Sequence, residues 1–408
     1  MFKKFFKKKK LKKKFENKVL ENQETEPSFQ QLSFPLSSLS TIDEDINLTN
    51  AQIISNTRFV VDAQGKIFFT SGSLANQSLA ESLKKWIFCE EDFKSCICDL
   101  KENTISLRVK KAEKFIRGNT IYASNYEPNN VYHFFMDCIF DAVLAKAKGI
   151  KIDNLVIHEN LSDKFRSALL TMFPQANHVN GANGEIITAE NLILFGKRNV
   201  QWHWLRKGDE EGKKLSDGRQ FFNSHYLQTL RNILFTSFNI KARENYETNA
   251  AKKIVFLPRK SDFRNTLNQK AILEFLKIKC AGHELIILDP ITASFGESGN
   301  ILSNSDLFIC QEGAALFNMI FANSDKMQIL TWPFFDATKQ DSIYQDIAKI
   351  LGFKFTTLPA FWLKSEKNFS GDFAPHLASE SLSDLILPID LIDKFLTEFL
   401  NSDHNSKI

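Results

Sequence analysis

Through the second half of the chain, short apolar runs alternate with segments whose apolar positions recur every three or four residues. KIVFLP (253–258), ELIILD (284–289), DLFIC (306–310) and MQILTW (327–332) predict strands buried on both faces. NQKAILEFLKIK (268–279), SFGESGNILSNS (294–305), GAALFNMIFA (313–322) and DSIYQDIAKILGF (341–353) predict the helices between them, the first opened by Asn268 as a cap. Such strand–helix repeats imply a doubly wound α/β domain, in which ligands bind beyond the carboxyl ends of the strands.

The first half is more mixed. Alternation on either side of AQGK in TRFVVDAQGKIFFTSG (57–72) predicts a hairpin. A helix over about 130–147, the strand NLVIH, the helix DKFRSALLTMF and the strand NLILFG then predict a second parallel α/β unit. A long helical stretch, 215–238, runs into the polar NIKARENYETNAAKK (239–253), the strongest shift in composition and the expected linker. The division is a basic tail and polar linker (1–50), an N-terminal α/β domain (51–245) and a C-terminal α/β domain (246–408). The last apolar helices of that domain are expected to cross back and brace the first.

Length agrees with two domains, since 408 residues exceed one ordinary core. The formal charge of +4 is a property of the tail: MFKKFFKKKKLKKK holds nine lysines and no acid, so the remainder is net acidic. With Phe2, Phe5 and Phe6 interleaved, that tail suits an anionic membrane surface as a peripheral contact; a solvated tail without a partner is the alternative. Nucleic acid is not expected, because no second basic cluster follows. No apolar stretch is long enough to span a membrane, and the polar ENKVLENQETEPS follows the basic start where an export signal needs apolar residues. The six cysteines lack paired metal-site spacing and are expected to be reduced. Asp43-Glu44-Asp45 reads as a solvated acidic turn rather than a metal site.

Candidate chemistry gathers at strand ends. Gln311, Glu312 and Gly313 follow DLFIC and precede a helix, whose N-terminal N–H groups attract phosphate; Gly313 admits close approach of a ligand. Arg259, Lys260 and Arg264 follow KIVFLP, and arginine's planar fork matches phosphate oxygens. A solvated basic loop is the alternative for these three cations.

KIVFLPRKSDFRNTLNQKAILEFL, together with SFGESGNILSNSDLFICQEGAALFNMIFA, resembles the family 61 glycosyltransferases. The matching positions are Arg259, Arg264, Asn268, Phe295, Glu297, Asp306, Gly313, Ala314, Leu316 and Asn318. Upstream, NNVYHFFMDCIFDAVLAK matches at Tyr132, His133 and Asp137. The resemblance covers about residues 120–335. It implies a GT-B-like fold, two facing Rossmann-like domains with an interdomain cleft, and inverting transfer of a sugar. The donor would be a nucleotide-sugar, expected to be a UDP-sugar, and the acceptor a glycan or glycolipid in capsule or surface polysaccharide synthesis at the inner face of the cytoplasmic membrane. No cofactor or metal is implied. Two positions depart from the pattern: Glu312 stands where the family has histidine, and Ser298 where it has glutamine.

On this reading Arg259, Arg264, Asn268, Glu297, Glu312, Gly313, Ala314 and Asn318 bind the donor. His133 and Asp137, one helical turn apart, are the catalytic candidates, His133 as a neutral base near a helix N-terminus and Asp137 as its orienting partner or the base itself. Trp202 and Trp204 in QWHWLRKG are candidates for stacking on an acceptor sugar, with interdomain packing as the alternative. Because of Glu312, a catalytically degenerate nucleotide- or glycan-binding module is the competing reading.

Overall fold

The computed structural model describes residues 29–35, 39–40, 42, 44–55, 59–70, 97–101, 104–124, 128–182, 184–196, 224–241, 251–260, 265–323, 327–333, 343–362 and 384–402. Ten strands make the first sheet: β1 (Phe29–Pro35), β2 (Leu39–Ser40), β3 (Ile46–Ile54), β4 (Phe59–Val61), β5 (Ile67–Phe69), β6 (Ile97–Lys101), β7 (Thr104–Ala123), β8 (Asn154–His158), β9 (Asn177–Gly181) and β10 (Glu185–Leu194). Their order is β2-β5-β4-β3-β10-β7-β8-β9, with β1 and β6 paired to the start of β7. Strands β10, β7, β8 and β9 are mutually parallel, whereas β3 joins β10 antiparallel. The sheet is therefore mixed.

The expected hairpin is β4–β5. Its turn is held by Asp62 Oδ1, which accepts from the Gln64 and Lys66 amides. Strand β7 was not legible in the sequence, because its polar run KKAEKFIRGN hides any alternation. Gly118 is what lets it continue. It sits at φ +86, where a Cβ would lie 2.6 Å from Asp153 Oδ2, and that carboxylate accepts from the Asn119 amide.

Residues 131–147 are helical, as expected, but not as one α-helix. A single turn (Val131–His133) passes into a π turn (Phe134–Cys138), closed by Ile139 N–H donating to Phe134 C=O, before helix α1 (Phe140–Ala147) resumes. The extra residue of a π turn recurs at functional sites. Helices α2 (Asp163–Met172) and α3 (Ser224–Ser237) complete this half.

The second sheet is wholly parallel: β11 (Lys253–Leu257), β12 (Glu284–Ile287), β13 (Leu307–Gln311), β14 (Gln328–Trp332) and β15 (Lys354–Thr357), in the order β12-β11-β13-β14-β15. Between them run α4 (Gln269–Lys279), α5 (Phe295–Leu302), a 3₁₀ helix (Ala314–Phe321) and α6 (Ile343–Leu351). Alternate residues of β11 serve opposite faces. Ile254 and Phe256 pack with α4 and α7 (Ile389–Asn401), and Val255 and Leu257 with the other helices. Asp306 sets the register of β11 and β13: its Oδ2 accepts from Lys253 N–H, and its own N–H donates back to Lys253 C=O.

Contrary to expectation, the C-terminal helix does not brace the first half. Ile392, Leu396 and Phe399 of α7 cover the second sheet's own face, and buried Lys252 donates to the Phe399 carbonyl at 2.7 Å, satisfying the end of that helix. Asn268 differs as well. It occupies the position before α4 but makes no side-chain cap; its amide pairs with Leu387, donating to the carbonyl at 2.6 Å and accepting from the N–H at 3.1 Å. Asn268→Ala leaves two backbone groups partnerless and is expected to cost about 1–3 kcal/mol, read as a lowered denaturation midpoint. Asn268→Asp, which keeps the acceptor, should fall between.

One core joins the two sheets. Phe134 and Phe135 of the π turn meet Phe295, Phe317 and Phe321 from the second half, with the Phe135 ring 5.0 Å from that of Phe295. Helix α3 ties both sides: Tyr226 hydroxyl donates to Phe135 C=O, and Arg231 donates to Ala322 C=O. The start of the predicted linker is packed, with Ile240 buried against Gly299.

Candidate active site

The strand order β12-β11-β13 places a topological switch point between β11 and β13, since their connections leave on opposite faces of the sheet. Ligands bind beyond the carboxyl ends of strands at such a point. Arg259 lies two residues past β11 and Gly313 two past β13, and their contact closes this gap: a Cβ on Gly313 would stand 2.8 Å from Arg259 Nη1. Gly313 has φ +149, outside the range open to L side chains. Sequence patterning alone could not supply this contact.

The surroundings keep Arg259 cationic and poorly hydrated. Its neighbour Cys310 is fully buried and its thiol is pushed up to about 12, so it stays neutral. Burial lowers the Arg259 pKa, with Cys310 and Tyr344 opposing, yet a guanidinium remains charged at neutral pH. A charge in such a place acts more strongly on an anion than one in water. The Arg259 peptide is itself held, its N–H donating to Gln269 Oε1 at 2.7 Å and its C=O accepting from Gln269 Nε2 at 3.2 Å.

The His133 turn meets the same region. Asn130 caps it, accepting from the Tyr132 and His133 amides. His133 Nδ1 and Asp137 Oδ2 are 2.7 Å apart, the histidine buried and the aspartate partly exposed. The Tyr132 ring packs edge-on against His133, against Phe317 of the 3₁₀ helix and against Tyr344 of α6. Burial, then the Asp137 charge, raises the Tyr132 pKa well above its ordinary value, so the phenol keeps its proton. Tyr344 thus touches the His133 side through Tyr132 and acts electrostatically on Arg259. It was not among the residues the sequence singled out, and its position on an ordinary apolar helix face offers no signal.

The remaining sequence candidates fall in several places. Glu312 is buried, its N–H donating to Trp332 C=O beyond the strand. Ala314 and Asn318 lie in the 3₁₀ helix, a tighter winding than the expected α-helix, and Asn318 Nδ2 donates to Ala315 C=O. Glu297 is exposed in the first turn of α5, where its charge acts on Lys164. Lys260 pairs with Asp289. Asp45 accepts from Gly196 N–H and pairs with Lys148, so it is structural. Arg264, Trp202 and Trp204 lie outside the described residues. Among the described residues no cluster of three metal-ligating side chains occurs, and Cys138, Cys280 and Cys310 are buried and form no disulfide.

The Glycosyltransferase 61 family model matches residues 131–329. The chain carries a family 61 glycosyltransferase domain. It begins at the His133 turn and ends in β14, so it holds His133, Asp137, Arg259 and Gly313, whereas Tyr344 and the segment pinned by Asn268 lie beyond it. A domain of this family is that of an enzyme that moves a sugar from a donor to an acceptor. No curated protein matches the sequence. Among solved structures, the chain is similar to the metal-soaked Flv1 flavodiiron core from Synechocystis sp. PCC6803, at 10% identity and TM-score 0.22, over 54% of this chain and 79% of that one. It is also similar to rubredoxin oxygen:oxidoreductase from Desulfovibrio gigas, at 8% identity and TM-score 0.24, over 74% and 63%. At those scores neither likeness bears on the fold or function of the family 61 domain.

Within that domain Gly313 is the sharpest local test. Gly313→Ala is expected to cost about 1–3 kcal/mol in backbone strain. Its Cβ would also push the Arg259 guanidinium aside. Thermal unfolding should report the first effect and titration with uridine diphosphate the second; a variant with wild-type values for both would show that Gly313 is dispensable.

Proposed function

We propose that the protein is an inverting glycosyltransferase that takes a sugar from a nucleotide-sugar and passes it to a glycan or glycolipid. The observation that carries this reading is the contact of Arg259 with Gly313 at the switch point, beside the turn that bears His133 and Asp137. The diphosphate of the donor lies against Arg259 and the Gly313 turn, with Arg264 adding charge. Arg259 then does the electrostatic work that a divalent cation does in metal-dependent transferases. With Nδ1 engaged by Asp137, the His133 ring presents Nε2 as proton acceptor. It takes the proton of the acceptor hydroxyl while that oxygen bonds the anomeric carbon from the face opposite the diphosphate. The sugar–phosphate bond breaks and its electron pair leaves with the nucleotide.

The wider reading is a GT-B-related pair of α/β domains, the second holding the donor, with Trp202 and Trp204 as the sequence's candidates for acceptor contacts. One aromatic core is shared by the two halves. The setting is surface or capsular polysaccharide synthesis at the inner face of the cytoplasmic membrane, where the lysine-rich tail makes a peripheral contact. It is compatible with this setting that no described helix is long and apolar enough to cross a membrane. The reading requires no cofactor. One observation favours a second reading, a nucleotide- or glycan-binding module without turnover: Glu312 is a buried acid next to Gly313, where the resembled family has histidine.

Purified full-length protein incubated with a panel of nucleotide-sugars and oligosaccharide or lipid-linked acceptors distinguishes the two. Acceptor-dependent nucleotide release supports the transferase. Nucleotide binding with no release from any donor supports the module.

A further inference from the structure

We infer that Gln269 is a positioning residue for the donor diphosphate, acting through the Arg259 backbone. This rests on the donor-site reading above and goes beyond it, since Gln269 is not among the positions that match the family's pattern. The observation is a two-point clamp. The Gln269 amide accepts from Arg259 N–H at 2.7 Å and donates to Arg259 C=O at 3.2 Å, pairing with one residue as a neighbouring strand would. Arg259 lies two residues beyond the last ladder pair of β11, at Leu257. The clamp therefore takes the place of the sheet at the residue whose side chain must reach Gly313.

The base of the clamp is firm. Gln269 is the first residue of α4, and the segment before it is held from three directions. Thr266 hydroxyl donates to Gln311 Oε1 at 2.9 Å and accepts from Trp332 Nε1–H at 2.8 Å. Asn268 grips Leu387, and the Asn265 amide donates to Asp384 Oδ1 at 2.8 Å. Gln311 directly precedes Glu312 and Gly313. Residues 265–269 therefore link both sides of the switch point, Gly313 through Gln311 and Arg259 through Gln269. Presetting a ligand-binding side chain in this way removes an ordering cost from binding.

The test is a double-mutant cycle with uridine diphosphate and inorganic pyrophosphate as probes, read by calorimetry on the full-length protein. Gln269→Ala is expected to weaken uridine diphosphate binding by about tenfold, the scale of one lost ordering contribution. It should raise KM for the donor without lowering kcat, and shift the unfolding midpoint little because Gln269 lies at a helix end. Gln269→Met, similar in shape but without the amide, should behave alike. In an Arg259→Ala background, Gln269→Ala should add nothing, because residues acting as one unit are not additive. Should Arg259→Ala weaken binding while Gln269→Ala does not, or should the two effects add fully, the Gln269 role is overturned and the donor-site reading stands. If neither probe binds wild type, or Arg259→Ala binds both as tightly as wild type, the donor-site reading fails and this inference with it.

Discussion

His133→Ala is expected to lower sugar transfer by about 10²- to 10⁴-fold, the range that a positioned general base contributes. Binding of uridine diphosphate should be nearly unchanged, because in the proposed arrangement the imidazole serves the acceptor hydroxyl while the diphosphate lies against Arg259. The His133 ring is held in place from three directions. Asn130 anchors the turn, Asp137 holds Nδ1 at 2.7 Å and the edge of Tyr132 fixes the ring plane. Asp137→Asn separates orientation from basicity, since the amide still reaches Nδ1 but no longer stabilises a charged ring; a smaller fall than for His133→Ala is expected. Steady-state rates with saturating donor and acceptor, alongside calorimetric titration of the nucleotide, make the measurement. Wild-type turnover by His133→Ala would remove histidine from the base role and leave Asp137 as the remaining candidate.

The second large effect concerns the joint between the halves. Phe135 is fully buried and its ring meets those of Phe134, Phe295, Phe317 and Phe321, from both halves of the chain. Truncating a phenylalanine in such a core costs about 3–5 kcal/mol through lost transfer energy and the cavity left behind. That is a large share of the ~5–15 kcal/mol that stabilises a typical domain. Phe135→Ala is therefore expected to lower the denaturant midpoint for the whole protein, with both halves unfolding in one transition monitored by fluorescence and circular dichroism. Two separate transitions, only one of them moved by the substitution, would mean that the shared core does not couple the halves.

Much of the second sheet was legible in the sequence. Strands buried on both faces show as unbroken apolar runs, and the helices between them carry a period of three to four, so β11 to β14 and α4 to α6 stand close to their expected ranges. The hairpin at 59–69 was equally plain, because Asp62 and Gly65 are turn residues with a mechanism. Strand β7 was hidden by its charged run. The π turn was hidden too, since inserting one residue into a helix leaves the apolar pattern intact. Asn268 shows the limit of local reasoning: it stands at a helix start and looks like a cap, yet a segment more than a hundred residues away claims its amide.

What the sequence determined by itself is the α/β class, the strand ends at which chemistry can sit, and the residue types offered there: an arginine, a glycine, a histidine and an aspartate. These follow from periods of two and 3.6 and from the chemistry of single side chains, all local properties. Tertiary structure alone decided that β11 and β13 are neighbours and that the Arg259 guanidinium rests on Gly313. It also decided that Tyr132 and Tyr344 bring the His133 turn to that place, and that one aromatic core closes both sheets. Strand order and side-chain convergence depend on which distant surfaces exclude water together, and no window of neighbouring residues carries that information.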